Sequence, residues 1–275
     1  MTATSVRTSA SPSGGAGDGW TERLARFGLL GKGVVHVVIG LLALQIARTG
    51  SSSSEASTAG TLDYIRELPL GGAALWVMGF SLLALAVWRA ITTVDGDPVE
   101  DDDGWYRAVW AAKALVYGAL AVAFLRGAMD GGSASAGASD EDRAAQATST
   151  VFDWPMGRWL VVLAGLAVIG IAVHLVVKHA VHQEFVGRLR VGPGSTAATL
   201  GRVGYGLRSL AYVLVGALLV QAGLAGEEQR AKGLSGALQS AADATGGRLL
   251  LFGVALGFVA YGAYCCAEAR FRRSA

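Results

Sequence analysis

The chain has 275 residues, 52% of them hydrophobic and only 16% charged, with mean hydropathy +0.45 and a formal net charge of +2. A soluble domain carries roughly a quarter charged residues, so this composition excludes a soluble enzyme domain and a disordered chain. The small net charge gives no footprint for nucleic acid. Two adjacent cysteines, Cys265 and Cys266, cannot build a disulfide framework and read as small apolar fillers at a helix end.

Taken in chain order, residues 1–21 are rich in Ser, Thr, Gly and Ala and read as a disordered cytoplasmic tail without the apolar core of a signal peptide. Six apolar segments follow, at 27–47, 70–88, 108–125, 159–177, 203–222 and 249–266. Each approaches the roughly 20 helical residues needed to cross a bilayer. Their hydropathy is continuous rather than alternating, which predicts helices and not a barrel. Pro69 and Pro155 stand at the starts of the second and fourth segments, where a first-turn proline is tolerated. Trp76, Trp88, Trp105, Trp154 and Trp159 fall near segment ends, roughly where an interfacial belt puts them.

With six spans, both termini share a side with the linkers at 95–104 and 183–199. That side holds fifteen of the 23 Lys and Arg residues, so the positive-inside rule predicts cytoplasmic termini in a multi-pass plasma-membrane protein.

The chain repeats. A shift of 176 places Arg26, Gly28, Lys32, His36, Gly40, Gly60, Leu62 and Gly71 on Arg202, Gly204, Arg208, Tyr212, Gly216, Gly236, Leu238 and Gly247. The middle third fits at a shift of 81 in its first helix, where Arg107, Lys113, Tyr117 and Ala121 match, and of 86 in its second, where Pro155 and Gly157 match Pro69 and Gly71. Three two-helix units result: 22–94, 105–182 and 200–268, separated by an acidic linker at 95–104 and a basic one at 183–199, with a basic tail at 269–275. Units that all start from one membrane side are related by an axis along the membrane normal. The expected fold is therefore all-α, a polytopic bundle of six transmembrane helices around a pseudo-threefold axis. The recurring Gly-x-Leu before each outer pair's second helix suggests a short amphipathic turn on the outer surface.

The repeated pattern Arg-x5-[Lys/Arg]-x3-[His/Tyr]-x3-Gly, followed by Gly-x-Leu and Pro-x-Gly, resembles the domain of unknown function 1206 family over roughly residues 22–268. The resemblance implies six spans in three units and brings no catalytic residues with it. The middle unit departs furthest, with Val109 and Ala121 at the glycine positions.

Each unit's first helix carries a cation, a ring and a small residue at spacings of four, which keeps them on nearly one face. The cations are Lys32, Lys113 and Arg208; the rings are His36, Tyr117 and Tyr212. Facing lipid, the cations would snorkel to headgroups; facing inward, they would ring an anion or lipid-headgroup site. Gly40, Gly216 and the pair Gly253 and Gly257 are expected to pack helices closely. His179, His182 and Glu184 read as a solvated helix end rather than a metal site. No Asp or Glu falls within the six segments, and nucleotide-binding, serine-hydrolase, zinc-protease and dithiol motifs are absent from the sequence.

The expectation is a non-enzyme without a cofactor. Its partners are the lipid bilayer, anionic headgroups and a membrane-protein partner. The leading reading is a structural or accessory protein; the alternative is a passive channel or carrier for a small anion through the three basic residues.

Overall fold

A computed structural model describes residues 18–50, 56–96, 104–129, 140–227 and 230–272. Most of the tail, most of the acidic linker and the last three residues lie outside these. The described chain is helical throughout, apart from turns and one isolated bridge between Leu189 and Arg272.

Every unit is a long helix, a short helix and a second long helix. The first comprises α1 (Asp18–Thr49), α2 (Thr58–Glu67) and α3 (Gly71–Asp95). The second comprises α4 (Gly104–Met129), α5 (Asp140–Phe152) and α6 (Gly157–Leu175). The third comprises α7 (Thr196–Ala225), α8 (Leu234–Asp243) and α9 (Gly247–Phe271). The six long helices are long and apolar enough to cross a membrane, and the chain is a multi-pass membrane protein. They outrun the apolar segments at one or both ends by up to several turns. The outer turns around Leu62 and Leu238 are ten-residue helices, α2 and α8, that bury those leucines. Ser57 starts α2 by accepting from the Gly60 N–H.

One turn geometry joins the short helix to the second long helix three times over. Leu70, Met156 and Gly246 all adopt the left-handed conformation, with φ of 66°, 64° and 75°. The following Gly71, Gly157 and Gly247 are forced: a Cβ there would sit 2.2, 1.8 and 1.6 Å from the carbonyl oxygens of Ile65, Val151 and Ala241. Pro69 and Pro155 thus lie before the turn residue rather than in the first helical turn.

The helices hand contact around the ring. The second helix of each unit packs on the first of the next: α3 on α4, α6 on α7, and α9 back on α1. Equivalent positions make these contacts. Gly40 lies against Ala255 and Val259 of α9, and Gly216 against Gly165 and Ile169 of α6. Within units, α1 packs on α3 and α7 on α9, but α4 does not pack along α6. Gly28 touches Leu85, and Gly204 touches Tyr261, with only 2.6 Å from an added Cβ to the partner. The middle unit has Val109 at that position, and a valine side chain cannot enter so close a crossing. The ring is consequently open at one seam, and α4 and α6 are its least buried helices.

Two expectations about aromatic and glycine positions are corrected. Trp88 is buried rather than interfacial, stacked under the Arg89 and Arg272 guanidinium groups at 4.0 and 4.5 Å. Gly253 faces open space, with nothing within 4 Å of a Cβ, whereas Gly257 packs on Leu207 and Arg208. A four-residue step drifts about 40° around a helix, and only one of this pair reaches the crossing.

Candidate functional site

Because α1 and α7 both pack on α9, their cations are brought to the same helix. The Arg208 guanidinium carbon lies 3.8 Å from the Tyr261 ring centre, and Lys32 Nζ lies 5.3 Å from that same centre. Tyr117 of α4 approaches Lys32 at 5.8 Å. Tyr212 and Tyr205 approach Arg208 at 5.4 and 5.6 Å. Arg208 is only 6% exposed, so it does not snorkel to lipid; Lys32 is half-buried.

His36 joins the two cations. Its Nδ1 lies 2.8 Å from the Lys32 carbonyl oxygen, and its Nε2 lies 3.2 Å from Arg208 Nη1. A carbonyl only accepts and a guanidinium only donates. Nδ1 therefore carries the proton, and the Nε2 lone pair accepts from Arg208. The His36 ring is held edge-on against Tyr261, 4.8 Å between centres.

Lys113 does not join them; its side chain is exposed on α4. The aromatic platform explains why. Tyr261 occurs in the third unit alone, with Leu85 and Ile171 at the equivalent positions of α3 and α6. Neither offers a π face to a third cation, and the open seam leaves α4 without a partner helix on that side. The expected ring of three basic residues is a pair, on one tyrosine that the repeat alignment had not singled out.

The charge balance of the pair is uneven. Among the described residues, Lys32 and Arg208 meet rings and a histidine but no carboxylate. Arg208 Nε is buried without an acceptor. Glu268, one helical stretch further along α9, is buried and bonded to Arg272 at 3.3 Å. It lies beyond the apolar segment read from sequence but inside the last turns of α9. Cation–π contacts contribute about 0.5–2 kcal/mol each, whereas burying an ion costs several kcal/mol. Among the described residues, the rings and His36 are thus the groups that offset the burial of the two charges.

The end of the second unit and the start of the basic linker are structured rather than a solvated helix end. Residues 176–181 form a π-helical turn, and 184–188 a 3-10 turn. His179 is buried and stacked on Tyr205 at 4.2 Å, with Phe185 beside it. Lys178 pairs with Glu184 at 3.3 Å. The described residues hold no group of three His, Cys, Asp or Glu side chains able to bind a metal.

A ring of three helix–short helix–helix units carrying one basic pair defines a class of six-span repeat membrane proteins. The family model for the Domain of Unknown Function (DUF1206) matches residues 27–95, 108–180 and 203–272, and the chain belongs to this family. The chain is also 26% identical to Uncharacterized protein YxxB of Bacillus subtilis (strain 168), over 255 residues and 89% of each chain. No solved structure matches.

Proposed function

We propose that the protein is a membrane-embedded binder of an oxyanion, a phosphate or carboxylate group held between Lys32 and Arg208, and not an enzyme. The observation that carries this reading is the burial of Arg208 beside Lys32 on a single tyrosine ring, with Nε left without an acceptor. Tyr117, Tyr212 and His36 orient the pair rather than bind the anion. The Lys and Arg bias of the sequence supports a location of the site toward the cytoplasmic face of the plasma membrane. The anion is either the headgroup of a bilayer lipid, which makes the protein an accessory membrane component, or a free solute, which makes it a passive carrier.

Calorimetry of the nanodisc-embedded protein separates these. Inorganic phosphate and a soluble short-chain phosphatidylglycerol are titrated in turn. Lys32→Gln and Arg208→Gln are expected to weaken binding at least tenfold, the loss of one charge-assisted bond, while Lys113→Gln leaves it unchanged. Equal affinity in all four proteins overturns the reading. Uptake of phosphate into proteoliposomes assigns the carrier role; headgroup binding without uptake assigns the accessory one.

A structural role has its own supporting feature. The outward faces of α4 and α6 expose Leu115, Val116, Leu163, Leu166 and Ile171, a surface suited to a partner helix.

A further inference from the structure

The open seam in the ring leaves a second feature, separate from the basic pair. A cavity of about 480 Å³ lies between α5, α6, α7 and the residues just before α8. Small-molecule sites occupy about 300–1,000 Å³. Its walls include Val151 at the end of α5, Trp154 in the turn that follows, Val161 and Ala164 near the start of α6, and Leu219 near the end of α7. It therefore opens in the half of the bilayer beside the short helices. The lining is apolar except for Thr148 and Lys232.

Repeat comparison explains the void. The α6 positions 161 and 164 correspond to Leu75 and Met78 in α3 and to Leu251 and Val254 in α9. All four of those side chains are buried in the central core, at 5% exposure or less. In the middle unit the same stripe carries the smaller Val161 and Ala164, and Ala164 is exposed. Two local losses combine here. Val109 keeps α4 away from α6, and the reduced side chains remove volume that the other units fill.

Lys232 supplies the charge. Its counterpart in the first unit is Ala56, fully buried, so the cation belongs to this unit alone. Lys232 Nζ donates to Ser240 Oγ at 3.0 Å. An ammonium has three donors, so this bond leaves two for another acceptor. An apolar chamber open toward lipid, with an ammonium at one wall, matches a molecule with a long apolar tail and an anionic head.

We infer that this cavity holds one acyl chain of an anionic bilayer phospholipid, with a phosphate oxygen of its headgroup on Lys232.

The test uses the full-length protein, reconstituted with equal amounts of phosphatidylglycerol and phosphatidylcholine, extracted mildly and examined by native mass spectrometry. The wild type is expected to retain one phosphatidylglycerol that Arg208→Gln also retains. Ala164→Val and Ala164→Met introduce the residues found at the same position in the other two units. They are expected to lose that lipid progressively while eluting and unfolding as the wild type does. Lys232→Gln is expected to keep one lipid but to reduce the preference for phosphatidylglycerol at least fivefold. Retention unchanged by either Ala164 variant overturns the proposal. So does a headgroup preference that survives Lys232→Gln. Loss of the lipid in Arg208→Gln assigns it to the basic pair instead. If Ala164→Met fails to fold, Ala164→Val and Lys232→Gln still decide the matter.

Discussion

Gly204 lies so close to Tyr261 that a Cβ on the glycine would come within 2.6 Å of the tyrosine backbone. This contact sets the depth at which the Tyr261 ring lies beneath Arg208, four residues further along α7. A methyl group at 204 must push α7 and α9 apart, because the obstructing atoms are backbone. Gly204→Ala is expected to cost about 1–3 kcal/mol, the range for overpacking, in reversible unfolding from detergent. It should also weaken phosphate binding. Gly118→Ala on α4, where a Cβ meets nothing within 4 Å, is expected to be neutral or slightly stabilising.

The left-handed turn before each second helix gives a prediction of opposite signs at adjacent positions. Met156 is 72% exposed and has a φ of 64°, so Met156→Gly is expected to relieve about 1 kcal/mol of backbone strain. Gly157→Ala, whose Cβ would collide with the Val151 carbonyl, is expected to cost at least about 2 kcal/mol. Thermal melts of the two variants in the same detergent check both signs.

Glu268 and Arg272 form an ion pair in which each is about 5% exposed. Removing one member leaves the other buried without its ion-pair partner, at a cost of about 3–5 kcal/mol. Glu268→Gln is expected to fall in that range. The double variant Glu268→Gln with Arg272→Gln should cost less than the two single variants added. An unfolding double-mutant cycle measures the difference, and strict additivity would contradict the pairing.

In the proposed site His36 acts through Arg208, whose Nη1 lies 3.2 Å from its Nε2. His36→Phe removes the acceptor at Nε2 and is expected to lower phosphate affinity about three- to tenfold, the ordinary net value of one hydrogen bond. His36→Gln keeps an acceptor on the same face and should recover part of the loss. A structural role alone predicts no such recovery in the titration.

Asp63, on α2, gives the pH-dependent case. Partial burial holds its carboxyl above the ordinary range, outweighing Arg66 at 4.0 Å, and Glu67 pushes the same way as burial. A carboxyl raised in the folded state binds its proton more readily there than in the unfolded chain. Its cost to stability is present while it is ionised and fades as the pH falls through the folded value toward about 4. Asp63→Asn is therefore expected to melt slightly higher than the wild type at pH 7, with the two curves converging on acidification.

The spans and their grouping were legible because lipid imposes hydropathy and backbone closure on every crossing segment. The glycine of each Pro-x-Gly was legible as well, since a carbonyl collision leaves no other residue there. The site was half legible. Lys32, Arg208, His36, Tyr117 and Tyr212 were visible because they recur at matching positions. Tyr261 was not, because its value lies in being unlike Leu85 and Ile171, and a repeat alignment rewards sameness. Glu268 escaped because α9 continues past the point where apolar character ends. Lys113 was misplaced with the others because a spacing on one helix does not say which neighbour that helix keeps. The signal that α4 lacks one was present at Val109, where both sister units have glycine.

The contact of α9 with α1 joins two helices far apart in the chain. During synthesis α1 enters the bilayer with its main partner still absent and Lys32 without the Tyr261 ring. Neighbouring pairs such as α3 with α4 and α6 with α7 can form as they emerge, but α1 meets α9 only once α9 has been made. Assembly therefore ends in one late, long-range step. A chain stopped before α9 would present the inner surface of α1 to the membrane, which gives quality-control proteases a direct way to recognise an unfinished copy.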